Sequence, residues 1–187
     1  MNLGFIGTGN IVSDVITGIF KSKFSFKKII ISPRNKKKAN YLKKKFKRIM
    51  IAKDNQAVID LSDWIFLGVL PRVGENILPK LKFKKNQTVV SFMSTTNYSK
   101  LKRLIGKKAN IVRAIPMPPI RLCKGPVAIF PPNKKIKNFF NNIGTTIEIK
   151  NEKLSKNFWA TSALMAPFYE VLKVTSQWLV KRGVNKN

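Results

Sequence analysis

Histidine is absent from the 187 residues, cysteine occurs once, and acidic residues number 8 against 37 lysines and arginines. Without histidine, the commonest general base and the commonest metal ligand are both missing. A single thiol, Cys123, excludes an internal disulfide framework and offers no metal cluster. No apolar run reaches the ~18 residues that a membrane span needs. Met1 runs directly into the first strand-like segment, with no leader pattern ahead of it. These absences predict a cytoplasmic, reducing setting, no membrane partner and no metal.

The formal net charge of +29 admits nucleic acid, anionic membrane surfaces or anionic small molecules as partners. The lysines are scattered through the whole chain, with Asn and Ile abundant beside them, as a drift toward AT-rich codons would produce. Lys36-Lys37-Lys38 and Lys43-Lys44-Lys45 are the densest runs, and the second is expected on the wet side of a helix. A nucleic-acid-binding protein is the alternative from another class. No recognised reader motif or aromatic–basic platform supports it. Hydrophobic residues make up 44% of the chain, enough for a core in one domain with an appendage.

Strand-like and helix-like segments alternate from the start. Leu3 to Ile6 is a short apolar strand, followed by Ile11, Val12, Val15, Ile16 and Ile19 at helical spacing. Lys28 to Ile31 is a second strand, Ala39 to Phe46 a basic helix, and Ile49 to Ala52 a third strand. Gln56 to Leu61 is helical. The nearly continuous apolar run Asp63 to Val69 suits a strand buried on both faces. Val73 to Leu81 reads as helix, Thr88 to Phe92 as strand, Tyr98 to Ile105 as helix and Asn110 to Ala114 as strand. Strict alternation predicts an α/β fold, a Rossmann-type doubly wound and mostly parallel sheet, over residues 1–150.

From Ile115 the prolines Pro116, Pro118 and Pro119 predict an extended loop. Strand Val127 to Phe130, helix Lys134 to Asn141 and strand Thr145 to Ile149 are expected to extend the same sheet. Residues 151–187 read as a C-terminal helical segment. Within it, Glu152 to Arg182 forms one long helical pattern, with Leu154, Phe158, Thr161, Met165, Phe168, Leu172, Thr175 and Leu179 along a heptad-like seam. Trp159, Ala166, Val174 and Trp178 lie elsewhere around it, so the helix needs a partner, and a second copy of the chain would supply one. Pro167 is expected to kink or break it.

The chemistry starts at Gly7-Thr8-Gly9-Asn10-Ile11-Val12, between the first strand and the first helix. Gly7 permits a tight turn, Gly9 lets the backbone approach a pyrophosphate, and the helix N-terminus offers N–H groups to the phosphates. Val12 holds the place of the motif's last glycine and should push the helix outward or be absorbed by a small neighbour. An NAD site carries Asp or Glu some 20 residues after the turn, at the end of the second strand. Ser32-Pro33-Arg34-Asn35-Lys36-Lys37-Lys38 stands there with no acid. A hydroxyl, a guanidinium and an amide suit a 2′-phosphate, so NADP(H) is favoured over NAD(H).

The stretches GFIGTGNIVSDVITGI, DNQAVIDLSDWIFLGVLP, QTVVSFMSTTNYSKLKRLI and NIVRAIPMPP, in that order, resemble the pyrroline-5-carboxylate reductase family. ATSALMAPFYEVLKVTSQWLVKRGV is similar to the start of its helical dimerisation domain, which continues for several more helices in the family. The resemblance implies hydride transfer from NAD(P)H to the C=N bond of 1-pyrroline-5-carboxylate, giving proline, and a homodimer built through the C-terminal helix. It places Gly7, Thr8, Gly9, Asn10 and Ile11 at the pyrophosphate, and Ser32, Arg34 and Asn35 around the adenosine 2′ position. Asn55 falls against the adenosine ribose, and Val69 and Pro71 beside the nicotinamide, with Leu70 where the family has lysine.

On the substrate side, Phe92-Met93-Ser94-Thr95-Thr96 replaces the family's Ala-Ala-Gly-like turn. Ala163-Leu164-Met165-Ala166-Pro167-Phe168-Tyr169 replaces a segment rich in hydroxyls and glycines that grips the substrate carboxylate. Candidate catalytic hydroxyls are Thr161, Ser162 and Tyr169. An NADP-binding paralogue that reduces another small imine or keto acid, or nothing, is the alternative within the family.

Overall fold

In the computed structural model, residues 1–155, 157 and 164–185 are described. The strands are β1 (Asn2–Ile6), β2 (Lys28–Ile31), β3 (Ile49–Ile51), β4 (Trp64–Leu67), β5 (Thr88–Ser91), β6 (Asn110–Pro116), β7 (Pro126–Phe130) and β8 (Thr145–Glu148). The helices are α1 (Asn10–Lys21), α2 (Lys36–Lys45), α3 (Asn55–Asp60), α4 (Pro71–Ile77), α5 (Tyr98–Ile105), α6 (Lys134–Asn141) and α7 (Met165–Lys181).

The strands form one sheet in the order β3-β2-β1-β4-β5-β6-β7-β8. β1 to β6 pair in parallel, β7 is antiparallel to β6, and β8 is parallel to β7. The chain winds outward from β1 to β3, then crosses to β4 and winds the other way. This is the expected doubly wound Rossmann arrangement. It opens a crevice at the strand C-termini between β1 and β4, where the winding reverses.

Hydrophobic alternation sets the layers. Leu3, Phe5, Ile29, Ile31 and Phe66 face one side, under Val12, Ile16 and Ile19 of α1, Leu42 of α2 and Phe139 of α6. Ile6, Ile30, Ile65 and Leu67 face the other side, under Val58 of α3 and Leu101 of α5. The central strands are therefore apolar on both faces, as a sheet covered by helices on both sides requires. Phe5 and Phe66, neighbours across β1 and β4, stack with centroids 4.6 Å apart. Burying each such ring stabilises the fold by roughly 1.5–3 kcal/mol.

Helix starts follow their caps. Asn35, Asp54, Asn97 and Asn133 accept from the third backbone N–H of α2, α3, α5 and α6, satisfying a donor left over at each helix start. The Asn35 cap starts α2 at Lys36, three residues earlier than the apolar pattern predicts. Lys43, Lys44 and Lys45 lie exposed on it, as expected.

Two segments depart from the sequence reading. The proline-rich stretch is not an extended loop: β6 continues through Ile115 to Pro116, which pairs with Val127, and Pro118–Leu122 forms a 3-10 turn. That turn packs tightly on α1, where a Cβ at Gly18 would stand 2.4 Å from the Ile120 carbonyl oxygen. The link to β7 is too short for a parallel crossover, so β7 returns antiparallel.

The second departure is at the C-terminal end. Glu152–Leu154 forms a 3-10 turn, Ser155 and Asn157 are helical, and after a turn at Leu164 the helix α7 runs from Met165. Pro167 falls in its first turn, where its missing N–H leaves no broken bond. Phe158 and Thr161 of the expected seam lie outside the described residues. The chain divides into two compact units, Met1–Glu152 and Lys153–Asn187. In the second, Phe168, Leu172, Trp178 and Leu179 of α7 are exposed. No helix among the described residues is long and apolar enough to cross a membrane.

Candidate functional site

A cleft of about 630 Å³ opens at the β1–β4 crevice. Gly7, Thr8, Gly9, Ser32, Arg34, Asn35, Val69 and Leu70 line it, eight of the residues singled out from the sequence. Lys36 and Val73, which the sequence reading did not assign, complete the lining. No carboxylate is among the lining residues.

The glycine turn is built for close approach. Gly7 has a φ of +100°, and a Cβ there would stand 2.4 Å from the Gly68 carbonyl oxygen, so both backbone and packing require glycine. Gly9 differs. Its φ of −68° and ψ of −178° are extended values open to any residue, and a Cβ would meet nothing nearer than Gly68 O at 3.9 Å. The protein interior places no demand for glycine there, and the missing side chain leaves the backbone open to close approach from the cleft. Gly9 is also the N-cap of α1 and makes no side-chain cap bond. The first N–H groups of α1 lack intrahelical acceptors, and the positive end of the helix dipole lies at the same place. Thr8 is 4% exposed and its hydroxyl has no hydrogen-bond partner. These features fit the pyrophosphate of a dinucleotide.

Ser32 closes the turn from behind. Its hydroxyl oxygen accepts from the Gly7 N–H at 2.8 Å, and the residue is 1% exposed. It links the end of β2 to the turn after β1. Arg34, Asn35 and Lys36 are exposed on the cleft wall beyond it. The Asn35 amide oxygen accepts from the Lys38 N–H at 3.1 Å.

Four of the cofactor candidates lie off the lining. Asn10 and Ile11 are the first residues of α1; the Lys38 ammonium donates to Asn10 Oδ1 at 2.5 Å, and Ile11 packs against the core. Pro71 opens α4 directly after Leu70, the N-cap of that helix. Asn55 opens α3, capped by Asp54. Leu70 is 74% exposed on the cleft rim. Val12 is fully buried against Gly68, the small neighbour that the motif's altered last place requires.

Of the catalytic candidates, only Tyr169 falls among the described residues. Thr161 and Ser162 lie outside the described residues. Tyr169 belongs to the second unit, on α7, 55% exposed with its ring edge-on to Phe168. Among the described residues no group of three His, Cys, Asp or Glu is placed to hold a metal. Two side chains away from the lining have displaced pKa values. Burial pushes the Asp14 carboxyl up, opposed by the Arg121 charge. Burial and the Glu152 charge push the Tyr98 phenol up.

Lys36, on the cleft lining, is not distinguishable in the sequence, because a lysine run in a lysine-rich chain reads as a solvated face.

The model of the family described as NADP oxidoreductase, coenzyme F420-dependent, matches residues 2–95. The pyrroline-5-carboxylate reductase of Aquifex aeolicus is 28% identical over 129 residues, 69% of this chain and 47% of its own. The match spans between 44% and 71% of the length of the curated relatives, and 47% of this first one. Two solved structures show the fold. A 1-pyrroline-5-carboxylate reductase from Streptococcus pyogenes has a TM-score of 0.82 at 24% identity, covering 99% of this chain and 72% of its own. A Plasmodium falciparum pyrroline carboxylate reductase with NADP bound has a TM-score of 0.81 at 23% identity, covering 99% and 71%. With residues 2–95 making up half of its length, the chain belongs to this oxidoreductase family, and its curated relatives are pyrroline-5-carboxylate reductases at 21–29% identity.

Proposed function

We propose that the protein is an NADPH-dependent reductase that transfers hydride to the C=N bond of 1-pyrroline-5-carboxylate, giving proline. One observation carries the cofactor preference: the cleft wall at the end of β2 holds Arg34, Asn35 and Lys36 and no carboxylate. An acid at this place would hold the ribose hydroxyls of NAD and repel a 2′-phosphate; a guanidinium accepts that phosphate. When bound, the nicotinamide supplies the hydride, and the polypeptide has to bind, orient and exclude water.

The turn residues Gly7, Thr8 and Gly9 and the N-terminus of α1 hold the pyrophosphate in this reading. Val69, Leu70 and Val73 give the opposite rim an apolar surface that keeps water from the reacting carbon. Imine reduction needs one proton beside the hydride. Thr161, Ser162 and Tyr169 are the hydroxyls proposed to deliver or position it. The exposed apolar side chains of α7 support a homodimer in which a second copy covers them, in a cytoplasmic setting. Light scattering of the full chain tests the dimer.

A second reading has its own support. Leu164, exposed, and Met165, at the start of α7, are apolar where the family segment supplies a glycine and a hydroxyl for the substrate carboxylate. A carboxylate meeting fewer donors there is bound less well, which favours an NADP-binding paralogue with another imine or keto-acid substrate, or none. Titration with NADPH and NADH by cofactor fluorescence, then NADPH oxidation with added pyrroline-5-carboxylate, decides between them. Turnover supports the reductase. Tight NADPH binding without turnover supports the paralogue. Failure of both cofactors to bind at millimolar concentration rejects both readings.

A further inference from the structure

We infer that the C-terminal end of α2 and the entry to β3 form a binding surface for single-stranded nucleic acid. Tyr41 is the platform on which a base stacks, and the lysines around it are the phosphate contacts. Tyr41 to Arg48 lie outside the described lining of the cofactor cleft, so the surface is separate from the reductase reading and does not depend on it.

The charge of the chain is unevenly placed. From Val15 to Lys53 there are fourteen lysines and arginines and no acid. This stretch builds most of α1, then β2, α2 and β3, and β3 is the edge strand of the sheet. Lys43, Lys44, Lys45, Lys47 and Arg48 are exposed there, and none of them forms an ion pair among the described residues. The dipole of α2 accounts for cations in its last turn. It does not account for Lys47 and Arg48 beyond the helix, nor for an exposed tyrosine among the lysines.

A ladder of rings underlies the cations. Phe46 stacks on Phe20 with centroids 4.2 Å apart, and Phe20 meets Phe26 edge-on at 5.1 Å. The Arg48 guanidinium lies 4.0 Å from the Phe26 ring centre and 5.5 Å from that of Phe20, and donates to the Phe26 carbonyl at 3.0 Å. The Lys45 ammonium is 5.4 Å from the Phe46 ring centre and 5.6 Å from that of Tyr41. Tyr41, at the outer end, is 59% exposed. Lys37, Lys38, Lys44 and Lys45 lie one helical turn to either side of it. An exposed ring flanked by ammonium groups suits a single strand, whose bases stack on the aromatic face while cations follow the backbone. The rings come from three separate segments, so the sequence shows no such platform. A lipid surface fits less well. Tyr41 is, among the described residues, the one large apolar side chain exposed from Val15 to Lys53, whereas a helix lying on a membrane buries a whole apolar face.

The test measures the fluorescence anisotropy of labelled oligo(U) and oligo(dT) with the full chain over a range of salt, beside duplex DNA and phosphatidylserine vesicles. Both single strands should bind, with an affinity that falls as salt rises. Tyr41→Ala should weaken them about tenfold, and Tyr41→Phe should bind as the parent does. Lys44→Ala combined with Lys47→Ala should weaken binding and flatten the log–log salt dependence by about 0.7 per lysine. The same charge change at exposed Lys134 and Lys135 of α6 should do neither. Single strands left unbound at physiological salt overturn the inference. Parent-like binding by Tyr41→Ala, or an equal loss in the α6 variant, overturns it by reducing the binding to net charge. Duplex bound as tightly as the single strands overturns it, since a duplex offers no free base. Vesicles bound in preference to both single strands overturn it in favour of a membrane surface.

Discussion

A Cβ placed on Gly68, just past the end of β4, would stand 2.0 Å from Cγ2 of Val12 on α1. The valine in the last place of the glycine turn is therefore accommodated by a glycine on the strand across from it. The helix keeps its seat on the sheet because the missing side chain has moved from one partner to the other.

This pairing predicts a compensating double substitution. Gly68→Ala alone drives its methyl into Val12 and should destabilise by about 1–3 kcal/mol. Val12→Ala alone removes two buried methyl groups and should cost roughly 2 kcal/mol. Together the new methyl finds Val12 Cβ at 3.6 Å and Phe92 Cδ2 at 3.7 Å, both ordinary contacts. The double variant should thus be more stable than the sum of the singles by about 1 kcal/mol or more. Urea unfolding of the four proteins measures this, and strict additivity would refute the packing account.

The bond from the Gly7 N–H to the Ser32 hydroxyl separates a structural role from a recognition role. Ser32→Ala leaves that N–H without its partner at a nearly closed site, a loss of about 1–3 kcal/mol. It should lower NADPH and NADH affinity by the same factor, since it loosens the turn under the pyrophosphate that both share. A selective loss of NADPH would place Ser32 among the residues that read the 2′-phosphate.

How far the site was legible follows the same division. GFIGTGNIV encodes strand, turn and helix within nine residues, so β1, α1 and the phosphate turn are local properties of the chain. The buried-both-faces run WIFL likewise identifies β4 as a central strand. What was hidden is non-local. Nothing near Val12 in the sequence points to Gly68, and nothing near Ser32 points to Gly7. The Pro118–Leu122 turn seats against Gly18 of α1, a contact 102 residues apart in sequence. Lys36 was concealed by composition, because one lysine on the cleft wall looks in the sequence like the many solvated ones around it.

Arg113 and Glu152 pair where the sheet unit ends. Arg113, on β6, is 5% exposed; it donates to the Glu152 carboxylate and, at 2.7 Å, to the Ser94 carbonyl. Glu152 also accepts from the Tyr98 N–H at 2.7 Å, at the start of α5. Removing the acid strands a buried guanidinium, so Glu152→Ala should cost about 3 kcal/mol. Arg113→Met removes the buried charge and its unpartnered Nε, leaving a carboxylate that water can reach. It should be the milder change, and chemical denaturation gives the order. A larger loss in Arg113→Met would show that the guanidinium, through Ser94, is the main support.

Asp14 sets a pH dependence whose sign follows from burial. Its carboxyl lies on α1, and desolvation raises its pKa above the ordinary 3.8, with the Arg121 charge opposing. A raised acid favours the protonated form in the folded state. Its contribution to stability is therefore present below pH 3.8 and lost as pH rises through the folded value. Asp14→Asn, which cannot ionise, should melt higher than the parent at pH 7, with the difference shrinking as pH falls toward 3.8. Arg121→Ala removes the opposing charge, so in that background Asp14→Asn should gain more at pH 7. Thermal melts of the four proteins from pH 3 to 8 give the test, and a gain that grows on acidification would contradict the desolvation account.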